Sequence, residues 1–166
     1  NGDGIDVGED PFNRHSNFGP ASFDRRHIFV TTYDYRLPFF HDLKGVGGAI
    51  LAGWEVSGIT RYQSGAPFTV TGNTAIGTRR ADYIGGDVLL ADPGPNGWIN
   101  PAAFRTAPDT RRGNSGAGIV TGPNLQTWDF SMRKQFDVTE RFNIRVQADM
   151  FNAFNSRNFG IPNGAF

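Results

Sequence analysis

The stretch LQTWDFSMRKQFDVTERFNIRVQADMFNAF spans residues Leu125 to Phe154 and contains two runs in which apolar and polar side chains alternate. A repeat of two residues is typical of a β-strand whose two faces meet different surroundings. The apolar positions that share this repeat are Trp128, Phe130, Met132, Phe136, Phe142, Ile144, Val146, Ala148 and Met150. The two runs therefore predict strands at 125–136 and 140–154.

Only the three residues 137–139 separate these runs, so we expect an antiparallel hairpin. Pairing Met132 with Ile144 interleaves charges of opposite sign along the hairpin. A slip of two residues would instead place Arg133 opposite Arg145, and directly opposed like charges destabilise a strand pair. The charge pattern therefore predicts the register in which Met132 faces Ile144.

Two earlier segments, 26–37 and 52–71, also alternate and predict two further strands. The first of them has apolar side chains on both faces. In the second, Trp54, Val56 and Tyr62 fall on one face and the charged residues on the other. The chain thus contains four predicted strands, two before and two after a long intervening stretch.

That intervening stretch, 72–124, is rich in Gly, Pro, Asn and Arg and predicts one long loop. Loops of this length are uncommon in compact soluble domains. In outer-membrane barrels, by contrast, short turns join the strands at one end and long extracellular loops join them at the other. The pattern predicts an all-β fold in which antiparallel up-and-down strands form part of a large outer-membrane β-barrel.

The length of the apolar stripe fits this interpretation. From Phe142 to Met150 the stripe extends about 26 Å at roughly 3.3 Å per residue. At a tilt of about 40° it covers about 20 Å along the membrane normal, close to the roughly 25 Å apolar band of such barrels. Four strands cannot close a membrane barrel, because the smallest bacterial ones have eight. We therefore expect further strands, from the same protein or from other chains, to complete the sheet.

Composition excludes several other classes of protein. Sixteen basic and 16 acidic side chains balance among the 166 residues, so no basic surface points to nucleic acid as a partner. The chain has no Cys, which excludes disulfides and thiolate metal sites. No apolar run approaches the roughly 18 residues of a membrane helix. With 15 Phe the chain is too aromatic to be disordered, although its 22 Gly and 38% hydrophobic content are unusual for a soluble core.

A membrane barrel turns its apolar face to lipid and its polar face to the lumen. The predicted lipid-facing residues are Trp54, Val56, Tyr62, Trp128, Phe130, Met132, Phe142, Ile144, Val146 and Met150. The predicted lumen-facing residues are Glu55, Arg61, Asp129, Arg133, Arg145 and Asp149. Lys134 falls on the apolar face near the turn, and we expect its ammonium group to extend to the lipid headgroups.

Four motifs occur together in an order and spacing that one known family shares. They are GPASFDRRHIFVTTYDYRLPF (19–39), LAGWEVSGITRYQSGAPFTVTG (51–72), WINPAAF (98–104) and GPNLQTWDFSMRKQFDVTERFNIRVQADMFNAFNSRNFGIPN (122–163). The chain resembles, over nearly its whole length, the C-terminal barrel region of TonB-dependent receptors of the Oar-like group.

The resemblance implies a parent protein in which a carboxypeptidase-regulatory-like domain and a plug precede the barrel. It implies energised uptake, or surface binding, of a large substrate across the bacterial outer membrane, driven through the inner-membrane TonB system. Partners would then be the remaining strands, the plug and outer-membrane lipid. Within the FDRRH motif of the family, Asp24, Arg25 and Arg26 are expected to form a structural charged cluster at the outer rim.

No motif predicts catalysis or a bound cofactor. His15, His27 and His41 lack the spacing of metal ligands, and the chain has no GxSxG nucleophile elbow. The acidic opening NGDGIDVGED is either a flexible loop or a calcium loop. It departs from the EF-hand pattern, because Ile5 occupies a ligand position and no glutamate closes the loop. We expect no catalytic, cofactor or metal site, and no enzyme.

Two further motifs have ordinary interpretations. The glycines of GVGGAILAG, at 45–53, do not form GxGxxG and predict a glycine-rich turn. The pairs Arg79/Arg80 and Arg111/Arg112 lie in the predicted long loop, where they are solvated or bind an anion such as the phosphates of lipopolysaccharide.

Two hypotheses from different classes follow. In the first, the chain is a non-enzymatic segment of an outer-membrane receptor barrel. In the second, it is a soluble all-β binding or adhesion module, or a structural subunit of a larger complex. A chain that folds in plain buffer without detergent would contradict the first hypothesis.

Overall fold

The computed structural model describes residues 12–75 and 77–165. The helices are α1 (Gly45–Leu51) and two 3-10 helices, Arg14–Asn17 and Pro101–Ala103. The strands are β1 (Ile28–Arg36), β2 (Glu55–Gln63), β3 (Pro67–Phe68), β4 (Thr71–Thr74), β5 (Gly77–Arg80), β6 (Asp82–Tyr83), β7 (Leu89–Gly94), β8 (Gly97–Ile99), β9 (Phe104–Arg105), β10 (Val120–Thr121), β11 (Leu125–Thr139) and β12 (Phe142–Met150). Among these residues no helix has the length and hydropathy to cross a membrane.

The chain divides into two compact units. We call the first the sheet unit, which comprises Ile28–Tyr62 and Leu125–Arg157. The second is the loop unit, which comprises Asn1–His27, Gln63–Asn124 and Asn158–Phe166. Each unit is described by itself below.

The sheet unit contains four strands in the order β1-β2-β11-β12. A backbone hydrogen bond from Leu37 N to Trp54 O, 2.8 Å long, continues the pairing of β1 and β2 past the end of β1. β11 and β12 pair antiparallel. The predicted all-β, antiparallel fold class is therefore confirmed. In the described residues the sheet does not close on itself, so β1 and β12 are its edges.

The predicted register of the last hairpin is wrong. Met132 faces Ala148, four residues further along β12 than the expected partner Ile144. The observed register also keeps like charges apart, because Arg133 faces Gln147. Charge avoidance therefore excludes some registers but does not choose between those that remain.

The turn sets the register instead. β11 continues to Thr139, which pairs with Phe142, so that only residues 140–141 form the turn. Thr139 Oγ1 accepts hydrogen bonds from Arg141 N (3.3 Å) and Phe142 N (3.1 Å), which stabilises the short connection. A shift in the pairing between Asp137 and Thr139 takes up one extra residue, as in a β-bulge.

Two predicted strands end earlier than expected. The segment 52–71 is not one strand, because β2 ends at Gln63 and the chain then approaches another backbone closely. A Cβ atom on Gly65 would lie 1.7 Å from Gly122 O, which only glycine tolerates. The last strand ends at Met150 rather than at Phe154.

The predicted glycine-rich turn at 45–53 is also incorrect, since most of it forms α1. Ala52 N donates to Gly48 O at 3.0 Å and ends the helix. Three glycines within seven residues give a low intrinsic helix propensity. Contacts with the sheet must therefore stabilise this helix, and they are described with the site.

The loop unit is folded rather than one open loop. Its strands form four antiparallel pairs, β3 with β10, β4 with β5, β6 with β9, and β7 with β8. Its buried core consists of Phe68, Val70, Ala81, Ala103, Phe104 and Val120, with Trp98 and Ile99 among the residues packed against it. The stretch predicted as the long loop 72–124 thus has a small hydrophobic core and its own hydrogen-bonded pairs.

Gly58, in β2, permits a close contact in the middle of the sheet unit. A Cβ atom added there would lie 2.5 Å from Asp129 O and 2.6 Å from Tyr33 Oη. The aromatic ring of Tyr33 thus occupies the space that a side chain at position 58 would need.

We therefore predict that Gly58→Ala destabilises the sheet unit by about 1 to 3 kcal/mol, the usual cost of overpacking. The measurement is the midpoint of urea unfolding of the full-length protein in detergent micelles. Gly116→Ala is the matched control, because a Cβ atom there meets nothing within 4 Å. Equal midpoints for the two variants would contradict the prediction.

Candidate functional site

The ten residues predicted to face lipid lie on one side of the sheet unit. The observed register places Phe130 opposite Met150. Strand alternation places Val56, Phe142 and every second residue of their strands on that same side. Trp54 directly precedes β2 and the other nine lie within strands. Five of the ten side chains are exposed, Phe142 most of all at 73%, and the other five are half-buried. We call it the apolar face; its contact with lipid stays a prediction.

Aromatic rings cluster at one end of the apolar face. Phe154 packs edge-on against Trp128 and Phe130, with ring centroids 5.6 and 5.8 Å away. The backbone returns there because Asn152 and Asn155 adopt left-handed φ angles of 48° and 49°, which asparagine tolerates better than most residues. The sequence placed Phe154 at the end of a strand, whereas it folds back over the sheet.

The opposite, polar face carries a network of charges that joins three strands. Arg133 on β11 donates from Nε to Glu55 Oε2 (2.6 Å) and from its terminal nitrogen to Asp34 Oδ2 (2.8 Å). Arg36 on β1 donates to Glu55 Oε1, with Nε at 2.9 Å. Two arginines and two carboxylates thus alternate across β1, β2 and β11. The sequence predicted Glu55 and Arg133 for this face but missed Asp34 and Arg36 as their partners.

The other predicted lumen-facing residues lie on the polar face without joining this network. Asp149 accepts hydrogen bonds from Gln147 Nε2, the shorter at 2.9 Å. Asp129 Oδ1 accepts from Asn152 N at 2.8 Å and so fixes the turn after β12. In the described part of the chain, Arg61 and Arg145 form no ion pair. The polar face therefore presents both satisfied and unneutralised charges, and its exposure to a lumen stays a prediction.

Lys134 does not extend to headgroups as the sequence suggested. Its Nζ donates to Ile50 O at 3.1 Å and to Ala52 O, at the end of α1. The residue is only 5% exposed, and Nζ lies 5.8 Å from the Trp54 ring centroid and 4.9 Å from that of Phe136. The helix, which the sequence did not predict, covers the lysine.

The rim motif shows no internal charged cluster. Arg25 donates to Ser22 O (3.5 Å) and Asp24 O (3.0 Å), both backbone carbonyls. Within the described residues, no ion pair joins Asp24 to Arg25 or Arg26. The expected cluster of side chains is therefore absent from this part of the chain, although a structural role for the loop before β1 is consistent with the backbone contacts.

The loop unit contains a buried ion cluster that no sequence pattern predicts. Asp82 is fully buried, and its two carboxylate oxygens each accept a 2.6 Å hydrogen bond from Arg111. Arg105 Nε (3.3 Å) and Asn114 N (3.1 Å) complete its partners. The hydrogen bonds from Arg111 are the main reason that the pKa of Asp82 is lowered from 3.8 to about 2, against the opposing effect of burial.

Arg80 is a second internal cation of the loop unit. It is 8% exposed, and its guanidinium group donates to Ser16 O (2.6 Å) and Asn17 Oδ1 (3.0 Å). One arginine of each predicted pair, Arg80 and Arg111, is therefore a structural residue rather than solvated loop charge.

An open cleft of about 500 Å³ lies on the loop unit. Its lining is apolar, aromatic or amide in character and comprises Gly94, Pro95, Asn96, Gly97, Trp98, Ile99, Pro101, Pro123, Phe159, Gly160, Ile161, Pro162, Asn163 and Ala165. The Trp98 indole N–H donates to Thr121 O at 2.9 Å, which fixes the plane of its ring. The volume of the cleft falls in the range of small-ligand sites, and a lining without charged side chains suits an uncharged ligand.

The histidines lie apart from one another along the chain. His15 is in the first 3-10 helix, His27 directly precedes β1, and His41 lies in the connection before α1. In residues 12–75 and 77–165 no group of three His, Asp or Glu side chains is placed to hold a metal ion. The acidic stretch 1–10, for which the sequence leaves a flexible loop and a calcium loop open, lies outside the described residues.

A family model described as "Outer membrane beta barrel domain" matches residues 1–166. No curated protein and no solved structure matches the chain.

The Asp82 cluster predicts a specific pH dependence. Because the folded pKa is depressed, the cluster stabilises the loop unit fully above the unfolded pKa near 4, and this stabilisation is lost as the pH falls through 2. A shift of this size corresponds to about 2 kcal/mol. In Asp82→Asn, we expect hydrogen exchange of residues 80–120 to be faster at both pH 5 and pH 2. We also expect the difference in protection of these residues between the two pH values to be smaller than in the protein with Asp82. Hydrogen-exchange mass spectrometry of the full-length protein, corrected for intrinsic rates, measures both effects.

Asp92→Asn serves as the control, because Asp92 is exposed. The role of Asp82 would be contradicted if the hydrogen-exchange protection of residues 80–120 fell equally in Asp82→Asn and Asp92→Asn between pH 5 and pH 2.

Proposed function

We propose that this chain, which belongs to the outer membrane beta barrel domain family, forms part of the barrel wall of a TonB-dependent receptor. In the bacterial outer membrane, such a receptor would take up or bind a large substrate. The single observation that carries the proposal is a four-stranded antiparallel sheet with one apolar and one charged face, within a chain that this family covers from end to end.

The membrane location of the chain follows from its family. We therefore do not propose the alternative of a soluble binding or adhesion module. The TonB-dependent role is supported by the resemblance of four ordered motifs to the Oar-like receptors. The polar face is consistent with this role, because a plug inside the barrel needs a charged and hydrogen-bonding wall to dock against. We propose that the segment is non-catalytic and that its partners are the remaining strands, the plug and the TonB system.

The folded loop unit suits a receptor that meets its substrate outside the cell. It connects the end of β2 to the start of β11, whereas the two-residue turn joins β11 to β12 at the other end of those strands. By the rule that short turns face the periplasm, the loop unit belongs on the outer surface. We propose that its uncharged cleft contributes to the first contact with the substrate.

This orientation predicts opposite labelling of two exposed residues. Asp92 lies on β7 of the loop unit and Glu140 lies in the β11–β12 turn. We expect a membrane-impermeant biotin maleimide to label Asp92→Cys of the full-length protein on intact cells. Glu140→Cys should react only after the outer membrane is permeabilised. The protein without either substitution is the blank, and labelling of Glu140→Cys on intact cells would contradict the orientation.

The TonB-dependent role is tested by direct binding. We expect the full-length protein, purified from outer membranes in detergent, to bind the purified periplasmic domain of TonB in calorimetry. Removal of the segment that carries the TonB box should abolish this binding, and mass spectrometry of the intact polypeptide should show a plug before the barrel. An intact polypeptide without a plug, or one that fails to bind, would reject the receptor proposal and leave the barrel fold intact.

A further inference from the structure

The short helix α1 is attached to the apolar face of the sheet unit. Lys134, from the middle of β11, reaches the helix end through its bonds to the carbonyl oxygens of Ile50 and Ala52. The indole N–H of Trp54 donates to the same Ile50 oxygen at 3.0 Å. Two side chains of the apolar face therefore hold one end of the helix.

These contacts compensate two electrostatic costs together, that of the unpaired carbonyl groups at the helix end and that of the buried ammonium group. The last carbonyl groups of a helix have no partner within the helix and carry a partial negative charge. A lysine on an apolar surface carries a positive charge that is costly to bury without hydrogen bonds. Lys134, at 5% exposure, provides the cation and the donors, and the end of α1 provides the acceptors. The rings of Trp54 and Phe136 enclose the ammonium group and add cation–π attraction.

The outer side of the helix is apolar and uncovered. The connection before it exposes apolar side chains beside the polar and charged side chains of His41, Asp42 and Lys44. The exposed fraction is 77% for Val46, 53% for Ile50 and 47% for Leu51. The connection adds three more exposed apolar side chains, Phe39, Phe40 and Leu43. The helix sequence GVGGAIL contains no charged residue. Contiguous apolar surface of this kind is unusual where a protein meets water.

Continuity with the sheet identifies what covers this surface. The helix lies on the face that carries Phe136 and Val146, and a barrel of this family has lipid on its apolar side. Lys134 precedes Thr139, the last residue of β11, by about 16 Å along the strand at roughly 3.3 Å per residue. At a tilt of about 40° this is about 12 Å along the membrane normal. The helix therefore lies near the boundary of headgroups and acyl chains, where tryptophan is enriched.

We propose that α1, with the connection 38–44, is an interfacial anchor whose apolar side chains contact the phospholipids of the periplasmic leaflet. Lys134 is the residue that fastens this anchor to the barrel wall. The inference rests on the membrane-barrel part of the proposed function and not on dependence on TonB. It assigns to the connection between β1 and β2 a role in lipid contact beyond that of a turn.

The test places a fluorophore on the helix in the full-length protein. Val46→Cys, labelled with an NBD maleimide, is reconstituted into vesicles of phosphatidylethanolamine and phosphatidylglycerol. We expect blue-shifted emission and quenching by a 5-doxyl lipid that is about twofold stronger than by a 12-doxyl lipid, because interfacial helices lie about 5 to 10 Å into the headgroup boundary. Aqueous iodide should quench weakly.

Two control positions separate the possible outcomes. A label at Val146→Cys on the apolar face should be quenched by doxyl lipids, and one at Gln147→Cys on the polar face should not. Quenching of Val46→Cys by iodide alone, or by neither reagent, would overturn the anchor; the second result would mean that protein covers the helix. If doxyl lipids also fail to quench the label at Val146→Cys, the apolar face does not contact lipid, and the proposed orientation of the barrel wall is wrong.

A second variant tests the fastening. Lys134→Met leaves the Ile50 and Ala52 carbonyl groups without this donor, so we expect the label at Val46→Cys to lose at least half of its 5-doxyl quenching. Lys134→Arg, which keeps the charge and the donors, should retain it. Arg61→Met is the matched control, because Arg61 lies on the polar face of β2, is exposed, and forms no ion pair in the described part of the chain. Unchanged quenching in Lys134→Met, with normal quenching at Val146→Cys, would reject the role of Lys134.

Discussion

A backbone N–H or C=O group without a partner in hydrocarbon costs several kcal/mol, and this constraint governs the sheet unit. Every strand of the sheet unit that lies in the membrane must therefore be paired on both sides. The edges of the described sheet, β1 and β12, each have one unpaired side. Such edges are tolerated only if neighbouring strands continue the barrel, so the sheet has to be understood as a part of a larger wall.

The same constraint explains why the helix on the apolar face needs a partner. A helix satisfies its backbone internally except at its ends, and α1 is so short that its ends are much of its length. With three glycines and no side-chain cap at its start, its stability depends on the contacts from Lys134 and Trp54. On the opposite face, arginines and carboxylates pair across strands instead. Pairs with one or both members exposed contribute modestly to stability, so this network aligns three strands more than it stabilises them.

Much of the architecture could be predicted from the sequence, because the two-residue period records directly which side chains share a face. The period predicts one face for Val56, Met132 and Val146 and the other face for Glu55 and Arg133. The register could not be predicted in this way. It depends on the bonds of Thr139 within the turn, and several registers keep like charges apart equally well. Contacts between distant residues, such as Asp82 with Arg111 or Lys134 with Ile50, leave no periodic trace in the sequence.

Asp82 also explains how a glycine-rich connection becomes a folded unit. Four of the six core residues named for the loop unit are small or aliphatic with little area to bury, so hydrophobic burial alone is weak. They are Val70, Ala81, Ala103 and Val120. Glycine permits close approach of backbones, as at Gly113, where a Cβ atom would lie 1.9 Å from Arg80 O. Close approach excludes water from the carboxylate of Asp82, and this strengthens its bonds to Arg111. A buried charge that is fully hydrogen-bonded then specifies one arrangement of the segments that surround it, because any other arrangement would leave the charge unpaired.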